Sequence, residues 1–230
     1  MGAVELAAIK ARMREAAIRS GREPDDVRLL AVSKGHSNRT VRELYAAGQR
    51  AFGENRPQGL HERFEADLPS DIEWDYVGNV QRRAIKVIAP RIVLLHSLDR
   101  SSLILSWARI EQPPPVLIEV NIAGEPQKHG FSPAALGAAA DAVVDAGIEL
   151  RGLMTIPPRV QRPEDARPWF AQLRALGEVL RGSHPAAVEL SMGMTDDFEV
   201  AIEEGASIVR VGRAIFEPAH SESNDRSTED

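Results

Sequence analysis

Eight short apolar runs, each followed by a stretch of helical period, constrain this chain more than any other feature of its sequence. They fall at residues 27–34, 51–55, 74–79, 92–98, 116–122, 150–156, 187–192 and 207–215. The runs are rich in Val, Ile and Leu, as parallel strands buried on both faces are. Between them the punctuation is helical. Asn38 or Thr40 is placed to cap the first helix, Val41 and Leu44 supply its apolar face, and Gly48 stops it. Asp196 with Glu199 three residues later reads as a capping box, and Gly205 ends that helix. Ahead of the first run, Leu6, Ile9, Met13 and Ala17 mark one face of an additional helix, while Pro113-Pro114-Pro115 forms a rigid lead-in to the fifth. Eight such units in 230 residues predict an α/β protein, a single-domain (β/α)8 TIM barrel. A doubly wound open sheet uses the same local pattern, but the strand count favours the barrel. The domain is expected to span residues 1–220 with its extra N-terminal helix, and the polar, acidic stretch 221–230 to be a disordered tail.

Composition narrows the chemistry. With 28 Lys and Arg against 34 Asp and Glu the net charge is -6, and the one adjacent basic pair in the body of the chain is Arg82-Arg83. Nucleic acid is therefore disfavoured as a partner, since neutralising phosphates takes a basic surface. Without cysteine there are no disulfides, thiolate metal sites or cysteine nucleophiles. The six histidines are scattered without ligand spacing, so no metal site is expected. An acid near the start and the lack of a long apolar run predict a cytoplasmic protein without a membrane segment.

In a TIM barrel the reactive groups gather at the C-terminal ends of strands, and phosphates commonly bind the loops after the seventh and eighth. Those ends carry Lys34, Asn55, Asn79, Asn121, the stretch 154–157, Ser191-Met192-Gly193-Met194 and Arg210-Val211-Gly212-Arg213. In a strand, Lys34 shares a face with Leu30 and Val32. An ammonium on an apolar face is either a Schiff-base lysine, its neutral form favoured by desolvation, or a strand-end lysine whose stem reaches back to solvent. Gly193 and Gly212 let main chain approach an anion, Ser191 offers a hydroxyl, and Arg210 or Arg213 offers charge. Each has a plainer role available, the glycines as turn residues and Asn55 as a helix cap. Together, a lysine on strand one and a phosphate cradle on strands seven and eight are what pyridoxal 5′-phosphate (PLP) requires.

The ordered stretches Ala31-Val32-Ser33-Lys34, 47–55 with Gly53-Glu54-Asn55, Arg151-Gly152-Leu153-Met154, Leu190-Ser191-Met192-Gly193-Met194 with Asp196-Asp197, and Val209-Arg210-Val211-Gly212 resemble the pyridoxal phosphate homeostasis proteins, the YggS/PROSC family. The resemblance covers nearly the whole chain. It implies a fold similar to the barrel domain of alanine racemase, with PLP held as an internal aldimine on Lys34. It also places Ser191, Gly193, Gly212 and Arg213 at the phosphate, Arg210 on the same strand end, and Asn55 in the pocket lining. The chain departs from the family in three places. Gly78-Asn79-Val80-Gln81-Arg82-Arg83-Ala84 replaces a segment like G-H-L-Q-S-N-K, Arg56-Pro57 follows Asn55 where an aromatic is usual, and Arg213 stands for a small hydroxyl residue.

Three functions compete for such a site. A PLP carrier, acting in vitamin B6 and amino-acid homeostasis with apo-PLP enzymes as candidate recipients, is the reading the resemblance favours. A PLP-dependent amino-acid racemase needs a second acid or base, and none is evident. The only tyrosines are Tyr45, in a predicted helix, and Tyr76, inside a predicted strand. A class I aldolase needs an acid–base partner near its lysine, which strand one does not supply. No catalytic residue is therefore assigned. The lack of the additional domain that pairs racemase subunits predicts a monomer.

Overall fold

The computed structural model describes residues 2–217, in which the eight runs become eight parallel strands closed into a barrel. These are β1 (Arg28–Val32), β2 (Ala51–Glu54), β3 (Glu73–Tyr76), β4 (Leu94–Leu98), β5 (Val116–Glu119), β6 (Leu150–Met154), β7 (Glu189–Ser191) and β8 (Ile208–Val211). Each pairs with the next, and β8 returns to β1 with Ile208, Val209, Arg210 and Val211 opposite Arg28, Leu29, Leu30 and Ala31. The open sheet is thereby excluded. The tail expected at 221–230 lies outside the described residues.

Strand residues alternate between two cores. Leu30, Ala51, Leu94, Leu117, Met154 and Ile208 form a small apolar cluster inside the barrel. Their neighbours Leu29, Phe52, Leu95, Ile118, Leu153 and Val209 join a much larger core between sheet and helices. This double burial is why the strands read as nearly continuous apolar runs rather than as alternating ones.

The helices are α1 (Gly2–Arg19), α2 (Asn38–Ala46), α3 (Pro57–Phe64), α4 (Ile85–Ile88), α5 (Ser101–Trp107), α6 (Leu136–Asp145), α7 (Arg167–Ser183), α8 (Phe198–Glu203) and α9 (Arg213–Phe216). The predicted face of α1 is buried at Leu6, Ile9, Met13 and Ala17. Its exposed edge reaches α8 through ion pairs, Arg12 to Glu199 at 3.1 Å and Arg19 to Glu203 at 2.9 Å. Among the described residues no helix is long and apolar enough to cross a membrane.

Several boundaries differ from the sequence reading. β1 stops at Val32, so Lys34 sits in the following turn. β5 stops at Glu119 rather than near Asn121, and β8 at Val211, after which the apolar 214–216 stretch forms part of α9. That stretch is apolar because a helical turn there still covers the core, with Ile215 only 1% exposed. Ser37, not Asn38 or Thr40, caps α2, its Oγ accepting from the Thr40 N–H at 3.3 Å. The Asp196–Glu199 capping box does not form. Guanidinium groups take both carboxylates, Arg213 pairing with Asp196 at 2.8 Å and Arg12 with Glu199. Asp197 occupies the cap position of α8, and its Oδ1 accepts from the Met194 N–H at 2.7 Å.

One contact shows how tightly the sheet is closed. Gly152 on β6 has φ +154°, and a Cβ there would lie 1.9 Å from the Glu189 carbonyl oxygen of β7. Gly152→Ala must push the two strands apart, and is expected to lower stability by about 3 kcal/mol, read as a shift of the urea midpoint at unchanged slope.

Candidate functional site

The turn that carries Lys34 is held from below by a buried ion pair. Arg63 of α3 lies 3.0 Å from Glu54 at the end of β2, with side chains 7% and 2% exposed. The same guanidinium donates to the carbonyls of Ser33 at 2.9 Å and His36 at 2.8 Å and to Asn38 Oδ1, while Ser33 Oγ donates to Glu54 Oε1 at 2.7 Å. One arginine thus fixes the whole β1–α2 connection. His36 stacks on Phe216 of α9 at 4.5 Å, tying this turn to the end of β8, and burial pushes its pKa down despite the nearby Glu217. Lys34 is itself exposed, so it is not buried on an apolar face. It lines a 600 Å³ cavity with Asn55, Arg56, Glu54 and Glu62, the two carboxylates coming from β2 and α3.

The ends of β7 and β8 close on main chain at two glycines. A Cβ on Gly212 would stand 3.1 Å from the Val32 carbonyl, which places the start of α9 against the end of β1, two residues before Lys34. Gly193, with φ +87°, would bring a Cβ to 2.5 Å from Ala201 Cβ, and its carbonyl accepts the Arg210 N–H at 3.0 Å. The first N–H groups of a helix have no acceptor within it, and α9 starts at Gly212–Arg213 on this end of the barrel. Arg213's guanidinium rests on Asp196 at 2.8 Å. A 400 Å³ cavity lined by Pro157, Met194, Asp196 and Arg213 opens on this side. Thr195, half-buried in the loop that Gly193 begins, is a hydroxyl that reading strand ends alone did not single out.

Asn55 and Ser191 occupy different levels. Asn55 is partly buried at the mouth, and its Oδ1 is a buried acceptor with no partner. Ser191 lies fully buried inside the barrel, its Oγ already engaged by His96 at 2.8 Å and Arg210 at 2.7 Å. Arg210, 5% exposed, also donates to the Ser191 carbonyl at 2.7 Å and the Thr155 carbonyl at 2.9 Å. Burial lowers its pKa to about 10, against the pull of Glu119 and Asp197, so it stays charged at neutral pH. Asn79 and Asn121 serve loops instead. The first donates to Asp99 at 2.9 Å, and the second donates to the Glu125 carbonyl at 2.9 Å.

The interior also holds Asp75, His96 and Glu119, which the sequence reading missed. Each sits two residues from an apolar position or opposite one on the inward face, Glu119 standing opposite Met154. Glu119 ends β5 at the mouth, and burial, reinforced by Asp99, raises its pKa to about 7, with Arg210 opposing. Tyr76 does end β3, yet it points outward into the larger core and donates to the Asn55 carbonyl at 3.1 Å. A cleft of 590 Å³ lies at the other end of the barrel beside Arg14, Arg28 and Arg50, away from every one of the strand-end groups.

A closed parallel barrel with a lysine after β1 and main-chain donors after β7 and β8 defines a class, and the comparisons agree on it. The family model described as the N-terminal domain of alanine racemase matches residues 4–219, so the chain is a barrel of the alanine racemase type. Alanine racemase of Corynebacterium glutamicum shares the fold at TM-score 0.71 and 15% identity, over 91% of this chain and 61% of that one. More specific are a pyridoxal phosphate homeostasis protein of Aquifex aeolicus (strain VF5), 40% identical over 92% of this chain and 95% of its own length, and PipY of Synechococcus elongatus PCC7942. PipY with PLP bound matches at TM-score 0.80 and 32% identity, over 94% of this chain and all of that one; PipY without PLP matches at TM-score 0.81. The chain belongs to the pyridoxal phosphate homeostasis protein family.

Two outcomes follow from the site's charges. Arg63→Ala strands the buried Glu54 carboxylate and is expected to destabilise by about 3–5 kcal/mol, measured by chemical denaturation. Glu119 binds its proton more tightly folded than unfolded between pH 4.5 and about 7, so its penalty is absent at low pH and complete above about 7. Glu119→Gln should therefore stabilise the barrel at about pH 8 by on the order of 2 kcal/mol more than at about pH 4, seen by comparing urea midpoints at the two pH values.

Proposed function

We propose that this chain binds PLP at the C-terminal mouth of the barrel and serves as a carrier in PLP and amino-acid homeostasis. The observation that carries this reading is the convergence, at the C-terminal end of the barrel, of an exposed lysine, an unpartnered buried acceptor on Asn55 and the helix start at Gly212–Arg213 packed against the end of β1. Bound PLP supplies an aldehyde that condenses with amines and a ring that withdraws electrons. Lys34 Nζ is the group that holds it covalently. The backbone at Gly193, Gly212 and Arg213 holds the phosphate, with the Thr195 hydroxyl beside them. Asn55 Oδ1 accepts from a ligand group at the mouth, and Arg210, braced by Ser191, presents positive charge beneath it. An exposed lysine remains within reach of a second protein, which suits delivery to apo-enzymes. A cytoplasmic monomer is the form this role calls for.

A second reading rests on Glu119. A carboxyl that titrates near neutrality at the strand ends is a candidate acid or base, which favours a racemase-like enzyme. Solvent deuterium exchange at the α-carbon of amino acids, in the presence of protein and PLP, separates the two; a carrier gives the rate of PLP alone.

The carrier reading is tested by absorbance titration with PLP, borohydride reduction and mass mapping, with Lys34→Ala alongside. A bound-PLP band absent in the variant, and the added mass on Lys34, are expected. Lys128 is the internal control, since its ammonium is engaged by Glu125 and the Pro157 carbonyl. Label spread evenly over surface lysines would refute the site.

A further inference from the structure

The barrel interior at the level of Arg210 is more polar than stability requires. Barrels of this kind are usually filled by branched apolar side chains, and buried ionic groups are often no more stabilising than apolar residues of similar volume. Here five strands contribute to one chain of hydrogen bonds. Arg28 of β1 donates to Asp75 Oδ2 of β3, and His96 Nε2 of β4 lies 2.9 Å from the same oxygen. His96 Nδ1 lies 2.8 Å from Ser191 Oγ of β7, which accepts from Arg210 of β8 at 2.7 Å. Asp75, His96 and Ser191 are completely buried.

Chemistry fixes the direction of each bond. A carboxylate has no proton to give, so His96 Nε2–H donates to Asp75. Burial pushes the His96 pKa down, against the raising effect of Asp75, which keeps the ring neutral and Nδ1 an acceptor. The Ser191 hydroxyl donates to Nδ1, and its oxygen is left to accept from Arg210. Asp75 Oδ1 has no partner, so both donors converge on Oδ2.

We propose that Asp75 and His96 are positioning residues for the cofactor site: acting through Ser191, they hold the Arg210 guanidinium in one orientation, with its remaining N–H groups available to a ligand at the mouth. The link to a ligand rests on the PLP reading above; the link to Arg210 does not. Three N–H donations, two to Ser191 and one to the Thr155 carbonyl, already anchor the guanidinium. Removing the Ser191 hydroxyl leaves two of them and the fold in place, while freeing the group to tilt.

The test has two arms, on Ser191→Ala and His96→Leu, with His96→Gln as the conservative variant that keeps a donor for Asp75 and an acceptor for Ser191. In 15N-edited spectra of the ligand-free protein, the Arg210 guanidinium protons should be separately resolved and slow to exchange. They should merge or exchange fast in Ser191→Ala and His96→Leu, and recover in His96→Gln. In PLP titrations the first two variants should bind about tenfold more weakly with a shifted absorption maximum, and His96→Gln should bind close to wild type. Ser191→Ala differs by one oxygen and carries the test if His96→Leu does not fold. Unchanged Arg210 resonances in folded variants would overturn the proposal. If those resonances change but PLP binds with wild-type affinity and spectrum, the link to the cofactor site fails. Wild-type protein that takes up no PLP at Lys34 would sink the cofactor reading, and with it that link, while the spectra of the ligand-free protein still decide whether the relay orients Arg210.

Discussion

The pairing of β8 with β1 is the constraint on which the rest depends. It makes the sheet edgeless, so every interior strand position must be filled by side chains from all sides. It also sets the start of α9 against the Val32 carbonyl, and so brings main-chain donors from the end of the chain beside a lysine near its beginning. Neither half of the site exists without that closure. The ion pair of Arg63 with Glu54 completes the arrangement, because the turn after β1 has few apolar residues to anchor it and takes its shape from one guanidinium instead.

Much of this was legible in the sequence, and the reasons are physical. Strand number, the buried face of α1 and the glycines that end α2 and α8 all follow from periodicity and backbone freedom. Which face of a strand looks inward does not, because here both faces are buried and the alternation that would mark them is missing. Asp75 and His96 therefore passed as ordinary strand residues, and only partners on distant strands give them meaning. The ends of β5 and β8 were misjudged for a related reason, since Ile122 and Ile215 cover the core from loop and helix as well as a strand would. The Asp196–Glu199 spacing is a good cap signal, but guanidiniums from α9 and α1 compete for both carboxylates, and sequence spacing carries no information about them.

Lys34 shows both the reach and the limit of such reading. Its chemistry was inferred from a face shared with Leu30 and Val32, whereas the turn after Val32 carries it into solvent. The residue does follow the end of β1, but in an environment other than the one inferred for it. What distinguishes it from other surface lysines is its neighbourhood of Asn55, Gly212 and the Arg63 scaffold. The buried charge lies a layer deeper, on Arg210, whose positive charge Glu119 at the end of β5 moderates.

Among the described residues, every backbone torsion with positive φ belongs to a glycine. Gly35 and Gly193 take the left-handed turns beside the site, where other residues would be strained. The main chain of the mouth therefore carries no left-handed strain at a side-chain-bearing residue. No spring is loaded on entry or released on departure, and little of a ligand's binding free energy is diverted into reorganising main chain.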